Sequence, residues 1–177
     1  MVASGCDRGD RATPPASKPD QAGIATGEQT LGVTAAGQLR TVNADQIRKF
    51  VGDRKGKVVV VNFWASWCPP CVREFPAIIK VYEQYRDKGL DMFAVSMNSP
   101  EEMAEIQEFM QTHNPPFPIY LADSKDEKFN EGVLEEWFGE MPLTLVFNTD
   151  GERVLAHRKE LTYEDLSSKV EALLPRR

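Results

Sequence analysis

Cys68 and Cys71 are separated only by Pro69 and Pro70, at the end of the stretch VVVVNFWASWCPPC. Two thiols at this spacing can close into one disulfide and reopen, so the chemistry on offer is a dithiol/disulfide cycle. A β-branched apolar run of strand length precedes the pair, and a helical pattern follows it. Cys68 therefore falls at a helix N-terminus, where free N–H groups and partial positive charge stabilise an anion. Its thiolate is favoured and its pKa lowered, which makes it the expected attacking sulfur. Cys71 shares that helical face and lies deeper, as a resolving thiol that breaks the mixed disulfide formed on Cys68.

The two prolines qualify this picture. Proline suits the first helical positions and presets the loop geometry in both redox states. Each lacks an N–H, however, so Pro69 and Pro70 remove two potential donors to the Cys68 sulfur and leave that of Cys71. The expectation is a moderately lowered Cys68 pKa, a comparatively favoured disulfide form, and a dithiol that reduces other molecules.

Elements to hold this site are legible on either side. Asn43 and Gln46 form a capping-box pair for a helix through ADQIRKFV, ending near Gly52, after a short strand at QLRTV. KVVVVNFW suits a strand buried on both faces, central in a sheet with parallel neighbours. The spacing predicts a helix from Pro69 to Lys88, stopped by Gly89 and kinked at Pro76, with Phe75, Ile78, Ile79, Val81, Tyr82 and Tyr85 on its buried face. LDMFAVSM reads as a strand. Ser99, Pro100 and Glu102 start a helix to about Thr112, PIYLA is a strand, and a helix covers roughly Lys125 to Phe138. LTLVF and RVLAH form a hairpin around Asp150-Gly151, and Thr162 caps a last helix. The order, βαβαβαβ then β and α, describes an α/β fold with a mixed central sheet covered by helices on both faces.

The 177 residues fit one domain and a tail, and a domain of roughly 150 residues buries a sizeable core. A net charge of −6 argues against nucleic acid as a partner. No apolar run approaches the roughly 20 residues of a membrane helix. Three cysteines are too few for a disulfide scaffold, and with only His113 and His157 as histidines, no metal site is expected.

NFWASWCPPC, followed by Arg73-Glu74-Phe75-Pro76, resembles thioredoxin-fold proteins of the TlpA/ResA type. The resemblance runs from about Lys57 to Leu174. It implies a thioredoxin-like fold and an extracytoplasmic, membrane-tethered thiol-disulfide oxidoreductase without a cofactor beyond its own redox-active disulfide. It also implies protein substrates bearing cysteine pairs, apocytochrome c among them as in cytochrome c biogenesis, and a membrane thiol-disulfide donor that re-reduces the site. Met141-Pro142 matches the family's cis-proline loop, which lies against the cysteines and offers backbone groups to a bound substrate chain. Leu143 stands where a Thr or Ser usually follows, a departure expected to alter substrate contacts. Glu74 matches the family's proton acceptor, and it lies i, i+3 from Cys71 on one helical face. Partial burial would raise its pKa and suit it to take the Cys71 proton. Asn62 stands where cytoplasmic thioredoxins have a buried Asp, which leaves acid–base duty to Glu74. Upstream, TVNADQIRKFVGDRKGK looks more like the start of a cytoplasmic thioredoxin than the family's usual hairpin.

Phe63 and Trp64 read as core packing, and Trp67 as part of an apolar docking surface beside Pro69 and Pro70. Glu131, Glu135, Glu136 and Glu140 read as a solvated helix face, with selection of a basic partner as the functional alternative.

Residues 1–29 are polar and small, rich in Ala, Gly, Pro and Ser, and are expected to be a disordered tether to a domain of residues 30–177. VASGC resembles the end of a bacterial lipoprotein signal, which would make Cys6 a lipidated residue; the charged and apolar regions that normally precede such a site are absent. The alternative is an unstructured tail with a spare thiol. As an anchor, the segment after Cys6 would reach about 25–30 Å by coil scaling and hold a monomer at the outer face of a membrane or in the periplasm.

Two other classes share the fold. A copper metallochaperone typically adds a His ligand and separates its cysteines by three residues, whereas here the separation is two and GEMPLTL holds no His. A peroxidase of the peroxiredoxin kind would have a lone reactive cysteine. A redox-inert binding module is excluded only by turnover of the pair.

Overall fold

The computed structural model describes Met1 and residues 39–175. Cys6 and, Met1 apart, the segment expected to be a tether lie outside the described residues. Six strands and five α-helices follow one another as β1 (Thr41–Val42), α1 (Ala44–Gly52), β2 (Val58–Trp64), α2 (Pro69–Tyr85), β3 (Leu90–Ser96), α3 (Met103–His113), β4 (Ile119–Ala122), α4 (Glu127–Val133), β5 (Leu143–Phe147), β6 (Arg153–His157) and α5 (Tyr163–Leu173). They form one sheet in the order β1-β4-β3-β2-β5-β6.

Every residue of β2 is buried, the polar Asn62 included among its apolar neighbours. Burying a Val side chain stabilises the fold by about 1.5–3 kcal/mol, so Val58 to Val61 together hold the strand firmly at the centre of the sheet. One of its neighbours differs from expectation. β3 is parallel to β2, but β5 is antiparallel to it, with Asn62 opposite Thr144 and Phe63 opposite Leu143. A run apolar on both faces reports burial, not strand direction, because helices cover both sides of this sheet.

Alternate residues of β2 point into two cores. Val58, Val60 and Trp64 pack with Cys68, Cys71, Phe75, Ile78 and Val81 of the α2 region, Ile106 of α3 and Leu166 of α5. Val59, Val61 and Phe63 pack with Ile47 and Phe50 of α1, Phe129 of α4 and Trp137. The architecture is thus three layers, with α2, α3 and α5 on one face and α1 and α4 on the other.

The helix ends follow their capping chemistry. Asn43 and Gln46 cap α1 reciprocally, and Thr162 with Asp165 does the same for α5. α2 runs continuously through Pro76, then tightens into a 3₁₀ turn over Arg86–Lys88 and stops at Gly89, whose φ of 108° suits glycine. The capping box at Ser99 and Glu102 opens a 3₁₀ turn, Pro100–Glu102, from which α3 continues. β1 pairs parallel with β4 at the sheet edge.

α4 is much shorter than the expected 125–138. It stops at Val133 because the next residues trade helical geometry for burial: Leu134 is extended and packs into the second core with Trp137. Glu135, Glu136 and Glu140 therefore lie on an exposed loop and not on a helix face. The Glu140 side chain also ties this loop down by accepting the Phe138 N–H at 3.1 Å.

Candidate active site

β2 ends at Trp64 and the chain turns over Ala65–Trp67 to reach Cys68. Asn98, buried behind this turn, accepts the Ser66 N–H at 3.0 Å and donates to Ser66 Oγ at 2.8 Å. Ser96 Oγ, donating to Asn98 Oδ1 at 2.9 Å, fixes that amide. Asn98 is a supporting residue that sequence reasoning missed. Its signal was a lone polar residue just past a buried strand, too common to single out.

Cys68 caps α2 in an extended conformation, with Pro69 and Pro70 as the first two helical residues. The Val72 N–H donates to the Cys68 carbonyl at 3.1 Å. With no N–H on either proline, the Cys71 N–H is the one first-turn donor left free of the helix's own ladder. The two cysteines form a disulfide across Cα atoms 5.3 Å apart. Cys68 keeps 6% exposure and Cys71 none, so only the first sulfur can meet an incoming molecule.

Glu74 is one helical turn beyond Cys71 and is only 1% exposed. Its Oε2 accepts the Leu161 N–H at 2.9 Å, and its Oε1 accepts from Asn62 Nδ2, also at 2.9 Å. The same Asn62 nitrogen donates to Thr144 Oγ1 at 3.0 Å. Burial pushes the Glu74 carboxyl up from 4.5 to about 7; the two N–H donors pull the other way, and the nearby Glu160 charge adds a smaller upward push. Arg73 pairs with Glu160 through two nitrogens, at 2.6 and 3.1 Å to one oxygen, on the exposed side of the same turn. Sequence spacing placed Glu74 on the cysteines' helix face but gave no sign of Leu161, 87 residues from Glu74, or of Thr144, 82 residues from Asn62.

The Met141-Pro142 peptide is cis, as expected. The β2–β5 register pairs Phe63 with Leu143, so Pro142 immediately precedes the strand that lies beside the end of β2 feeding the disulfide. Pro142 is buried, and Met141 packs against both cores. Leu143 is fully buried in the second core, so this departure from Thr or Ser presents no side chain to a substrate, contrary to expectation. Thr144, the next residue, faces Asn62 instead.

Trp67 is 54% exposed immediately before Cys68, whereas Phe63 and Trp64 are fully buried. An open cleft of about 460 Å³ adjoins Trp67, walled by Val72 and Phe109 and rimmed by Glu102, Glu105 and Glu108. Among the described residues no three His, Cys, Asp or Glu side chains converge to hold a metal ion. No helix among them is long and apolar enough to cross a membrane.

Comparison with known proteins agrees with this geometry. The Redoxin family profile matches residues 9–173. Thiol-disulfide oxidoreductase ResA of Halalkalibacterium halodurans is 33% identical over 122 residues, which are 68% of this chain and 65% of that protein, and ResA of Geobacillus kaustophilus is 30% identical over 125 residues, 71% of this chain and 68% of that protein. The crystal structure of StoA from Bacillus subtilis is 29% identical and superimposes with a TM-score of 0.52 over 64% of this chain and 82% of that one. A thioredoxin-family thiol:disulfide interchange protein from Chlorobium tepidum shares the fold at a TM-score of 0.63 and 21% identity, over 84% of this chain and 99% of its own. The chain belongs to the Redoxin family and, within that thioredoxin-like fold, to the thiol-disulfide oxidoreductases of the ResA kind.

Proposed function

We propose that the protein works as a reductant, passing electrons from the Cys68–Cys71 dithiol to disulfides of protein clients outside the cytoplasm. The observation that supports this most is a disulfide whose outer sulfur alone is accessible, one helical turn from a buried carboxyl with a pKa of about 7. In the dithiol form the Cys68 thiolate attacks one sulfur of the client disulfide. The client's other sulfur leaves as a thiolate and takes a proton from solvent, giving a mixed disulfide on Cys68. Glu74 then accepts the Cys71 proton, and the Cys71 thiolate attacks the Cys68 sulfur. The client's second sulfur leaves and is protonated in turn. The client has gained two electrons and two protons, and the protein has become the disulfide seen here.

Trp67, Pro69 and Pro70 form the face presented to a client, and the Met141-Pro142 loop offers backbone groups on the other side of the sulfurs. The acidic rim of the cleft favours a client segment with positive charge near its cysteines. A membrane dithiol protein returns the site to the reduced state. Lipidation at Cys6 would keep the domain within reach of that donor at the outer face of a cell membrane or in the periplasm. Apocytochrome c, whose haem-site cysteines must be reduced, is the client class this reading favours.

A Cys71→Ser trap expressed in the native host tests it. The reading predicts protein clients linked through Cys68 and releasable by reductant, with extracytoplasmic cysteine-pair proteins prominent. Recovery of no linked protein, together with a metal ion bound to the wild-type thiols, would favour a metal carrier instead.

A further inference from the structure

Both oxygens of Glu74 face N–H donors, one the Leu161 backbone and the other the Asn62 amide. A carboxylate is well served by this arrangement. A neutral carboxylic acid is not, because its O–H would point at a donor whichever oxygen carried it. The Leu161 N–H is fixed by the backbone, whereas an amide can turn. Asn62 Oδ1, meanwhile, is buried without a hydrogen-bond partner, as are only Trp64 Nε1 and Asn130 Oδ1 among the described side chains. Of these three atoms, it is the one whose own side chain contacts Glu74.

We propose that Asn62 is a positioning residue whose amide turns over with the protonation of Glu74, with Thr144 as its partner in both orientations. With Glu74 ionised, the two Nδ2 hydrogens go to Glu74 Oε1 and Thr144 Oγ1, the arrangement observed. When Glu74 takes up a proton, the amide rotates by half a turn. Oδ1 then accepts the Glu74 O–H and the Thr144 O–H, and Nδ2 takes the place of the orphaned oxygen. The threonine hydroxyl suits this because it accepts in one state and donates in the other. The nearly equal shape of the amide's two ends lets the turn occur without repacking.

Because the hydrogen bond that Asn62 donates to the charged carboxylate is stronger than the one it accepts from the neutral acid, Asn62 on balance keeps the carboxylate form accessible against the upward push of burial. It holds Glu74 able to take a proton from Cys71 near neutral pH. The other charged and titratable groups around Glu74 are Cys71 and Arg73 on its own helix and Glu160 before α5, with His157 opposite Thr144 in the β5–β6 register. None of these contributes an amide that can exchange donor for acceptor. The inference rests on Glu74 as the proton acceptor of the resolving step, but its test does not depend on turnover.

In the oxidised, isotope-labelled full chain, the Glu74 carboxyl carbon and the Asn62 side-chain NH₂ are followed by NMR from pH 5 to 9. The expected result is one shared midpoint, with the NOE from the Asn62 NH₂ to Thr144 Hβ strong at high pH and lost at low pH. Asn62→Leu, of similar size but without a donor, should raise the Glu74 midpoint by about one to two units. An Asn62 NOE pattern unchanged across the Glu74 titration would overturn the amide turn. A Glu74 midpoint unmoved in a folded Asn62→Leu would reduce Asn62 to a structural residue. If Glu74→Gln resolved mixed disulfides at full speed, the proton-acceptor reading would fail while the NMR result stood.

Discussion

At the scale of single residues, the proposed mechanism divides the labour between one accessible sulfur, one buried sulfur and one buried carboxyl. Glu74→Gln keeps the shape and one of the two acceptor oxygens but removes the base. General-base catalysis typically contributes 10²–10⁴-fold, so the resolving step should slow by about 10²-fold or more while Cys68 still forms mixed disulfides. Stopped-flow quenching of the mixed disulfide measures this. The same carboxyl makes stability depend on pH. Its folded pKa of about 7 lies above 4.5, so between these values the folded chain holds a proton that the unfolded chain has lost. The stabilisation is complete below pH 4.5 and disappears as pH rises through about 7, a difference of roughly 3 kcal/mol. Denaturant midpoints of the oxidised protein, wild type against Glu74→Gln, should diverge over that window and run parallel outside it. The cysteine pair and Glu74 were legible because their spacing places them on one helix face. The environment of Glu74 was not. Leu161 and Thr144 reach it through tertiary packing, over 87 and, by way of Asn62, 82 residues of chain.

At the scale of elements, α2 and β2 do most of the positioning, and both were readable from the apolar pattern. α4 was not, since helical periodicity through Leu134 competes with the burial of Leu134 and Trp137, and the packing won. The antiparallel β5 was equally hidden, since strand direction leaves no mark on a run covered from both sides. The start of α2 carries a prediction of its own. Pro70→Ala restores an N–H beside Cys68, and hydrogen bonding to a thiolate favours it. The Cys68 pKa should fall by about one unit and the site become more oxidising. Thiolate absorbance against pH and equilibration with glutathione read the two effects, and an unchanged pKa would mean that the missing donors at Pro69 and Pro70 do not restrain the sulfur.

At the scale of the whole molecule, the face around Cys68 is the one proposed to receive clients. Trp67 stands 54% exposed at the edge of an acid-rimmed cleft, an apolar ring retained next to the reactive sulfur. Trp67→Ala should lower kcat/KM for a protein client by roughly tenfold or more, the usual consequence of losing an aromatic anchor. Steady-state reduction of a cysteine-pair protein at several salt concentrations would measure that loss together with the pull of the acidic rim.

The direct test of the central claim is alkylation of the fully reduced protein across pH, with each thiol's rate read by mass spectrometry. Cys68 should react far faster than Cys71, with a midpoint clearly below the ordinary thiol value of about 8.5. Two equally slow thiols, each with an ordinary midpoint, would contradict that claim.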